Sequence, residues 1–239
     1  MDWFALAVGF GSTLGCWQIA QKAPFGQSWR LVNGAILTLL GCLVGARLAF
    51  AGVHSAYFSV HPLEVLEFWL GGLSWTGAFA GAVLTIFILA WVWHMPVTKL
   101  ADGLAPLFPP LVIGIWLGCW QAGIAYGASA PTGSWWAMPT LDEAGKFSLR
   151  EPLQLLAALS ILFFFVFLES NLHLFSHPGQ FTAVTALGIS IDVLLFSRFR
   201  ADPLPVWNGL RTDLLAGSLF VVMSLFLCIL AFLPRRLKR

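Results

Sequence analysis

Few residues of this sequence could do chemistry, and the first of them is an arginine inside an apolar stretch. Arg47 lies well within a long hydrophobic run. A guanidinium at the centre of a membrane-spanning helix costs at least about 2.5 kcal/mol, so something must compensate it. Three compensations are open: an ion pair with Glu64 or Glu67, snorkelling to the headgroups, or a lipid phosphate bound bidentately.

A second group combines a carboxylate with two imidazoles. Glu169, His173 and His177 have i, i+4, i+8 spacing, which would place them on one helical face and suit a metal. Asp192 is the only plausible further ligand. However, Pro178 ends the helix there, and HLFSH lacks the internal glutamate of the HExxH metalloprotease motif. Polar residues at a span end explain this group better, and we expect neither a metal nor a cofactor.

Membrane-spanning helices must position these residues. Of 239 residues, 59% are apolar and 10% are charged, against roughly 45–50% and about 25% in globular chains. Several apolar blocks approach the roughly 20 residues that cross about 30 Å of hydrocarbon, and the alternation of a membrane barrel is absent. We predict an all-α integral membrane protein, a single membrane domain with spans near 3–20, 31–53, 71–93, 103–126, 152–169, 181–197 and 213–233.

The lysines and arginines of the loops predict the orientation of the chain. If the C-terminus is cytoplasmic, seven spans place the N-terminus outside. The inner set then has seven cations, namely Lys22, Arg30, Lys99, Arg235, Arg236, Lys238 and Arg239. The outer set has five, namely Lys146, Arg150, Arg198, Arg200 and Arg211. The outer arginines indicate an anionic partner there, whereas the net charge of +2 indicates no nucleic-acid partner.

Pairs of glycines four residues apart recur along the predicted spans. They are Gly41 with Gly45, Gly77 with Gly81, Gly114 with Gly118, and Gly123 with Gly127. Such stripes let two backbones approach closely, so we expect spans two, three and four to pack tightly together. Twelve tryptophans, many of them near span ends, predict interfacial belts. The mixed segment 54–70 is expected to lie along the interface rather than cross the membrane.

Several short motifs, in their order along the chain, resemble the prolipoprotein diacylglyceryl transferase family. The string GGLSWTGAFAG, at residues 71–81, resembles the family's GGLSFHGGLIG segment. Upstream, GARL at residues 45–48 resembles its G-x-R element. Downstream, APL at 105–107, the stretch 118–127, REPLQL at 150–155 and RAD at 200–202 resemble its APL, G-R-x-G-x-F…G, R-H-P-S-Q-L and Arg-x-Asp elements. These matches run from about residue 41 to residue 202.

The resemblance implies a function and a set of partners. Enzymes of this family transfer the diacylglyceryl group of phosphatidylglycerol to the thiol of a lipobox cysteine in a prolipoprotein, in the bacterial inner membrane. The reaction needs donors for the leaving phosphate and a base for the thiol. The implied partners are a phosphatidylglycerol-like phospholipid and a prolipoprotein signal peptide. The implied lipid- or phosphate-binding residues are Arg47, Gly127, Gln154, and one of Arg198 and Arg200.

Other matched positions depart from the family pattern. The family's motif histidine falls on Thr76, its signature arginine on Trp116 and an asparagine-type position on Cys119. Thr76 has no base strength near neutral pH, and Trp116 carries no charge. Further departures fall on Ile124, Glu151 and Leu156. No catalytic residue is therefore assigned, and two hypotheses stand beside the transferase: a lipid-binding relative that has lost catalysis, and a structural subunit of a larger membrane complex.

Overall fold

Seven helices of the computed structural model are long and apolar enough to cross a membrane. The structure describes residues 3–142, 144–204, 206–207 and 209–233. The candidate spans are Trp3–Lys22, Ser28–Val53, Trp75–Val92, Val97–Ala122, Leu153–Ser170, Gln180–Phe199 and Thr212–Phe232. The predicted all-α membrane fold is thus confirmed. The fourth span begins at Val97 and not at the predicted residue 103. The prediction began too late because Lys99 and Asp102 interrupt the hydrophobic pattern of the sequence there.

The helices are α1 (Trp3–Lys22), α2 (Ser28–Val53), α3 (Ser55–Phe58), α4 (Trp75–Val92), α5 (Val97–Leu104), α6 (Phe108–Ala122), α7 (Leu153–Ser170), α8 (Gln180–Phe199) and α9 (Thr212–Phe232). Single 3₁₀ turns lie at Pro62–Leu66, Phe68–Leu70, Ala105–Leu107 and Leu172–Leu174. Two antiparallel hairpins pair β1 (Met138–Leu141) with β2 (Phe147–Arg150) and β3 (Val206–Trp207) with β4 (Leu210–Arg211). The sequence did not predict these hairpins, because their strands are too short for a clear period-two pattern.

Two compact units make up the chain. The first comprises Met1–Gln18 and Ala105–Arg239, and the second comprises Ile19–Leu104. In the first unit, α6 packs along α7, and α8 packs along α9. Its core includes a buried cluster formed by Trp116, Cys119, Ala125, Ala157 and Ala158. The single membrane domain and the orientation of the termini stay predictions.

In the second unit, two glycine stripes bring α2 and α4 into backbone contact. Gly41 and Gly45 on α2 face Gly77 and Gly81 on α4. A β-carbon on Gly45 would overlap the carbonyl oxygen of Gly77, and one on Gly81 would lie 3.2 Å from the Cα of Gly45. Small residues allow such close approach in membranes, where packing rather than hydrophobic burial drives helix association. The predicted packing of spans two and three is confirmed.

The glycines of the fourth span pack differently from the prediction. Gly114 lies against the backbone of α1 at Ala7, and Gly118 packs one turn away on the same helix. Gly123 and Gly127 contribute to no helix stripe, because Gly123 ends α6 with a φ of +68° and Gly127 lies in the loop that follows. The expected packing was therefore wrong for these four glycines, although α5 does contact α2 and α4.

Tryptophan side chains lie at several helix ends. Trp3, Trp29 and Trp91 are each more than half exposed and lie near the first or last turn of a candidate span. Aromatic side chains at the ends of spanning helices suit the headgroup region of a membrane. The positions of these three tryptophans therefore agree with the predicted interfacial belts.

The metal-site hypothesis fails on the local backbone. Helix α7 ends at Ser170 and a 3₁₀ turn follows, so Glu169, His173 and His177 do not continue along one helical face. Across the described ranges, no three His, Cys, Asp or Glu side chains lie close enough together to hold a metal ion. Nothing in this geometry supports a metal site at these residues.

Candidate functional site

Backbone carbonyls hold the guanidinium of Arg47 in the second unit. Its Nε donates to the oxygen of Val65 at 2.9 Å, and its Nη2 donates to that of Glu64 at 2.5 Å. Its Nη1 donates to the carbonyls of Gly71 at 2.7 Å and of Gly72 at 3.3 Å. Every nitrogen of this buried side chain is therefore engaged, and Arg47 connects the segment after α3 to α2.

The local sequence explains this carbonyl cage. Gly71 and Gly72 have φ values of +87° and +69°, a region that side chains rarely adopt. A β-carbon at Gly72 would also lie 2.9 Å from Nη1 of Arg47. The rings of Phe50 and Phe58 lie 5.8 and 5.4 Å from the guanidinium carbon, and their faces attract a cation. The double glycine therefore allows the backbone to turn its carbonyls toward the charge.

The ion pair with Glu64 or Glu67, one of the three compensations left open for Arg47, does not form among the described residues. The carboxylate of Glu64 accepts a hydrogen bond from the Tyr57 hydroxyl instead. In the part of the chain that the structure describes, no carboxylate lies within ion-pair distance of Arg47. Arg47 thus has no described counter-ion, and most of its donors are already used. Phosphate binding at Arg47 stays a prediction.

A second polar cluster lies in the first unit, where α8 is connected to α9. Arg200 pairs with Asp202 through Nε at 2.9 Å and Nη2 at 2.5 Å. Arg211 pairs in the same bidentate way with Asp213, at 3.2 and 3.1 Å. Nη1 of Arg211 also donates to the carbonyl of Arg200 at 2.6 Å. Two Arg-x-Asp sequences thus form one linked set of four charges, which we call the Arg-Asp array.

The array keeps Arg200 cationic. Burial alone would lower the pKa of Arg200, but the hydrogen bond and the charge of Asp202 outweigh it and raise that pKa above its usual range. Bidentate pairs of this kind are among the stronger polar contacts in proteins. A phosphate at Arg200 must therefore compete with Asp202.

The loop after α6 is attached to the array through its backbone. The N–H of Ala125 donates to the carboxylate of Asp202 at 3.3 Å, and the N–H of Ala201 donates to the carbonyl of Tyr126 at 2.8 Å. Ala125 has a φ of +56°, which is strained for an alanine. The contact with Asp202 helps to hold this strained turn beside the array.

Two predicted site residues, Gln154 and Gly127, meet this same loop. The side chain of Gln154 is buried and its amide donates to the carbonyl of Ile124 at 3.0 Å. A β-carbon on Gly127 would lie 2.8 Å from the Cβ of Glu151, so only glycine fits there. The structure therefore brings Gln154, Gly127 and Arg200 to the loop after α6, whose backbone Gln154 and Gly127 support.

Arg150 is a residue of this region that sequence reasoning did not single out. Its guanidinium carbon lies 4.0 Å from the ring centre of Tyr126, and its Nη2 lies 3.6 Å from the carboxylate of Asp142. Its Nε is buried and has no hydrogen-bond partner among the described residues. The sequence did give a signal for Arg150, since it is the first residue of the string that resembles R-H-P-S-Q-L. An unsatisfied, charged N–H of this kind suits an anionic ligand.

The structure separates the two arginines whose register the sequence left open. Arg200 belongs to the Arg-Asp array and is partly buried. Arg198 is exposed on the last turn of α8, and no described residue pairs with it. The two side chains therefore have different surroundings, although only one residue lies between them.

Neutral groups fill the positions where the family motifs carry a base and an arginine. Trp116 is buried, and its Nε1 donates to the carboxylate of Asp192 at 3.1 Å. That carboxylate also accepts a hydrogen bond from Ser160. The hydroxyl of Thr76 lies 2.7 Å from that of Ser74. Trp116 and Thr76 are thus satisfied by the protein itself.

Trp116→Phe tests this internal hydrogen bond. The variant keeps an aromatic ring but removes the Nε1 donor, so a buried carboxyl loses one of its described partners. We expect the unfolding free energy to fall by about 1–2 kcal/mol. Thermal unfolding in detergent measures the change, and Trp91→Phe, at a residue 79% exposed, is the control. Equal stability of the two variants would argue against a structural role for the bond.

Comparison with known proteins agrees with the motif order. A family model for prolipoprotein diacylglyceryl transferase matches residues 1–230. Proteins named phosphatidylglycerol–prolipoprotein diacylglyceryl transferase from Beijerinckia indica and Methylocella silvestris are 31% and 30% identical, each over 98% of this chain and 90% of the relative. One from Burkholderia ambifaria is 29% identical over 85% and 71%. The bacterial relatives and the seven apolar helices also confirm the inner-membrane location. The chain belongs to the prolipoprotein diacylglyceryl transferase family.

Proposed function

We propose that this transferase-like membrane protein binds a phosphatidylglycerol-type phospholipid and has lost the diacylglyceryl transfer reaction. The observation that carries the proposal is the hydrogen bond from Trp116 to Asp192, at the position where the family signature has an arginine. A buried indole there cannot hold a leaving phosphate. Fold inheritance without the reaction is common among related proteins, so the site decides the function rather than the fold.

The transfer reaction makes two demands that this site meets poorly. The acceptor thiol must lose a proton to a base, and the glycerol phosphate must be stabilised as it leaves. The threonine hydroxyl at position 76 cannot act as that base near neutral pH. It also faces Ser74 rather than a group that would activate it. The loss of a base and of a phosphate donor together supports a protein that no longer catalyses.

Phospholipid binding has support of its own in the first unit. Arg150 offers a buried Nε donor without a described partner, and Arg200 remains cationic in the Arg-Asp array. Guanidinium groups match the geometry of phosphate oxygens and keep their charge at all physiological pH values. We therefore infer that Arg150 makes the direct contact with a lipid phosphate. The positive charge of Arg200 adds to the attraction.

Retained transferase activity is the second candidate, and one observation favours it. Glu151 lies two residues before α7 in the position of the family's R-H-P-S-Q-L histidine, half-buried beside Gly127. No described residue pairs with its carboxylate. A carboxylate can accept a thiol proton when its pKa suits the task. Glu151 would be the base in that case.

Complementation separates the two candidates. The chain is expressed in cells depleted of their own transferase, and the diacylglyceryl mass increase on a reporter lipoprotein is measured. We expect no more modification than with an empty vector, although the protein is inserted and folded. The Beijerinckia indica relative is the positive control. Restored modification would overturn the loss of catalysis, and its disappearance in Glu151→Gln would then identify the base.

A binding measurement tests the lipid half of the proposal. Native mass spectrometry of the purified chain with phosphatidylglycerol should show bound lipid, and Arg150→Gln should weaken that binding roughly tenfold, the effect of losing one charge-assisted contact of about 1.4 kcal/mol. Lys99→Gln removes an exposed cation in the other unit and is the matched control. Unchanged binding by Arg150→Gln would contradict the assignment.

A further inference from the structure

The first hairpin has polar side chains on its inner face and apolar side chains on its outer face. Directly paired residues of an antiparallel hairpin lie on the same face, and successive residues alternate between the two faces. The inner face of β1 and β2 carries Met138, Thr140, Ser148 and Arg150. The outer face carries Pro139, Leu141, Phe147 and Leu149. Every side chain of the outer face is therefore apolar.

This arrangement is the reverse of that in a hairpin beside water. Such a hairpin turns its apolar side chains toward the protein and its polar ones toward the solvent. An apolar outer face is typical of strands that contact lipid, as in membrane barrels. On this outer face, Phe147 is 70% exposed and Leu149 is 40% exposed. The outer face of the hairpin therefore suits apolar surroundings outside the described part of the chain.

The hairpin is held beside the end of a candidate membrane span. Nε1 of Trp120, two residues before α6 ends, donates to the carbonyl of Pro139 at 3.4 Å. A β-carbon on Gly123, the residue after α6, would lie 2.9 Å from the carbonyl oxygen of Asp142. Strand β2 ends three residues before α7 begins. The hairpin therefore lies close to the level at which α6 and α7 leave the hydrocarbon.

The residues on either side of this face suit the same level of the membrane. Trp135, three residues before β1, is 93% exposed, and tryptophan is enriched at the boundary between membrane and water. In the turn between the strands, the carboxylate of Asp142 accepts hydrogen bonds from the N–H groups of Ala144 and Lys146. Lys146 is exposed. An apolar face that is bordered by an indole and by a polar turn is typical of a segment lying in the interface.

We propose that the outer face of this hairpin, together with Trp135, docks onto the lipid surface around α6 and α7. The bilayer is the occupant because the exposed apolar side chains continue along the chain into α7, a candidate span whose Leu156 is 49% exposed. The contact is with the membrane surface as such and selects no headgroup. It goes beyond the function proposed above and does not depend on it, because Arg150 lies on the inner face of the hairpin.

The accessibility of introduced cysteines tests the contact, with the full chain in bilayer nanodiscs that hold one copy each. Phe147→Cys should react at least about tenfold more slowly with a charged, membrane-impermeant maleimide than Ala144→Cys, because thiolates and charged reagents are both disfavoured in an apolar layer. Ala144 is the matched control, since it is an exposed residue in the turn of the same hairpin. The unaltered chain gives the background from the four native cysteines, which all lie in candidate spans.

Fluorescence quenching gives an independent measurement at Trp135. Lipids with brominated acyl chains should quench an emission component that is present in the unaltered chain and missing in Trp135→Phe, and aqueous iodide should leave this component unchanged. Quenching by iodide alone, or equal reaction rates of Phe147→Cys and Ala144→Cys, would place the outer face in water and overturn the proposal.

Two further comparisons separate the bilayer from other occupants. Protection of Phe147→Cys that appears only in discs with two chains would assign the outer face to a second copy and would contradict the proposal. Protection should be the same in phosphatidylcholine and phosphatidylglycerol discs, and it should persist when Arg150→Gln is added. Protection that is lost in either case would mean that headgroup recognition holds the hairpin, and the general membrane contact would then be wrong.

Discussion

Arg47→Lys is expected to lower the unfolding free energy by about 3 kcal/mol or more, since several hydrogen bonds from one buried charge are lost together. The guanidinium reaches four carbonyls along the segment 64–72. An ammonium keeps the charge but lacks the planar fork that serves several acceptors at once. The half-buried carbonyls of Glu64, Val65 and Gly72 would then lose their described donor. Denaturant unfolding in detergent micelles, followed by tryptophan fluorescence, measures the loss.

Arg30→Lys is the matched control for that substitution. Arg30 makes one hydrogen bond to the carbonyl of Trp93, at 2.9 Å, and lies over the same indole at 4.9 Å. A lysine can replace both contacts, so a change of less than about 0.5 kcal/mol is expected at this exposed site. If the two variants lose equal stability, the carbonyl cage is not what holds the segment 64–72.

Gly77→Ala should destabilise the second unit by about 3 kcal/mol, near the upper end of what overpacking costs. The added methyl group would overlap the backbone carbonyl of Gly45 and the side chain of Ala49. A carbonyl cannot rotate away as a flexible side chain can, so α2 and α4 must separate along their shared stripe. Thermal unfolding in detergent measures the change.

Gly52→Ala controls for the intrinsic effect of the methyl group. Gly52 also lies in a helix, but nothing lies within 4 Å of a β-carbon there. Because alanine favours helix over glycine, this variant should be stabilised by about 0.5–1 kcal/mol. A destabilisation of the same size at both positions would mean that the glycine stripe does not determine the packing.

The spans could be predicted from the sequence because hydropathy and helix length act locally. The close contact of α2 with α4 could also be predicted, since Gly41, Gly45, Gly77 and Gly81 mark it in both partners. The same reasoning was wrong for Gly114, because a glycine stripe does not identify its partner. That stripe packs on α1, where Ala7 accepts a close neighbour.

The polar site was less predictable because its contacts depend on the backbone. The sequence left acidic side chains, headgroups and a lipid phosphate open as partners of Arg47, but its described partners are carbonyls, which every residue has. The pairing of Arg200 with Asp202 had a sequence signal, because the Arg-x-Asp sequence at residues 200–202 is repeated at residues 211–213. Only the structure brings the two pairs together. The family-like string marked Arg150 itself, but not its unsatisfied donor, which depends on how the first hairpin meets the loop after α6.

The carbonyl cage also imposes an order on biosynthesis. Its last acceptor, Gly72, lies 25 residues after the arginine, so the arginine is synthesised before any of its acceptors. At translation rates of about 5–20 residues per second, that interval lasts roughly one to five seconds. During this time, residence deep in the bilayer is unfavourable for the nascent helix. The acceptors that satisfy Arg47 therefore all come from a segment that is synthesised after α2 itself.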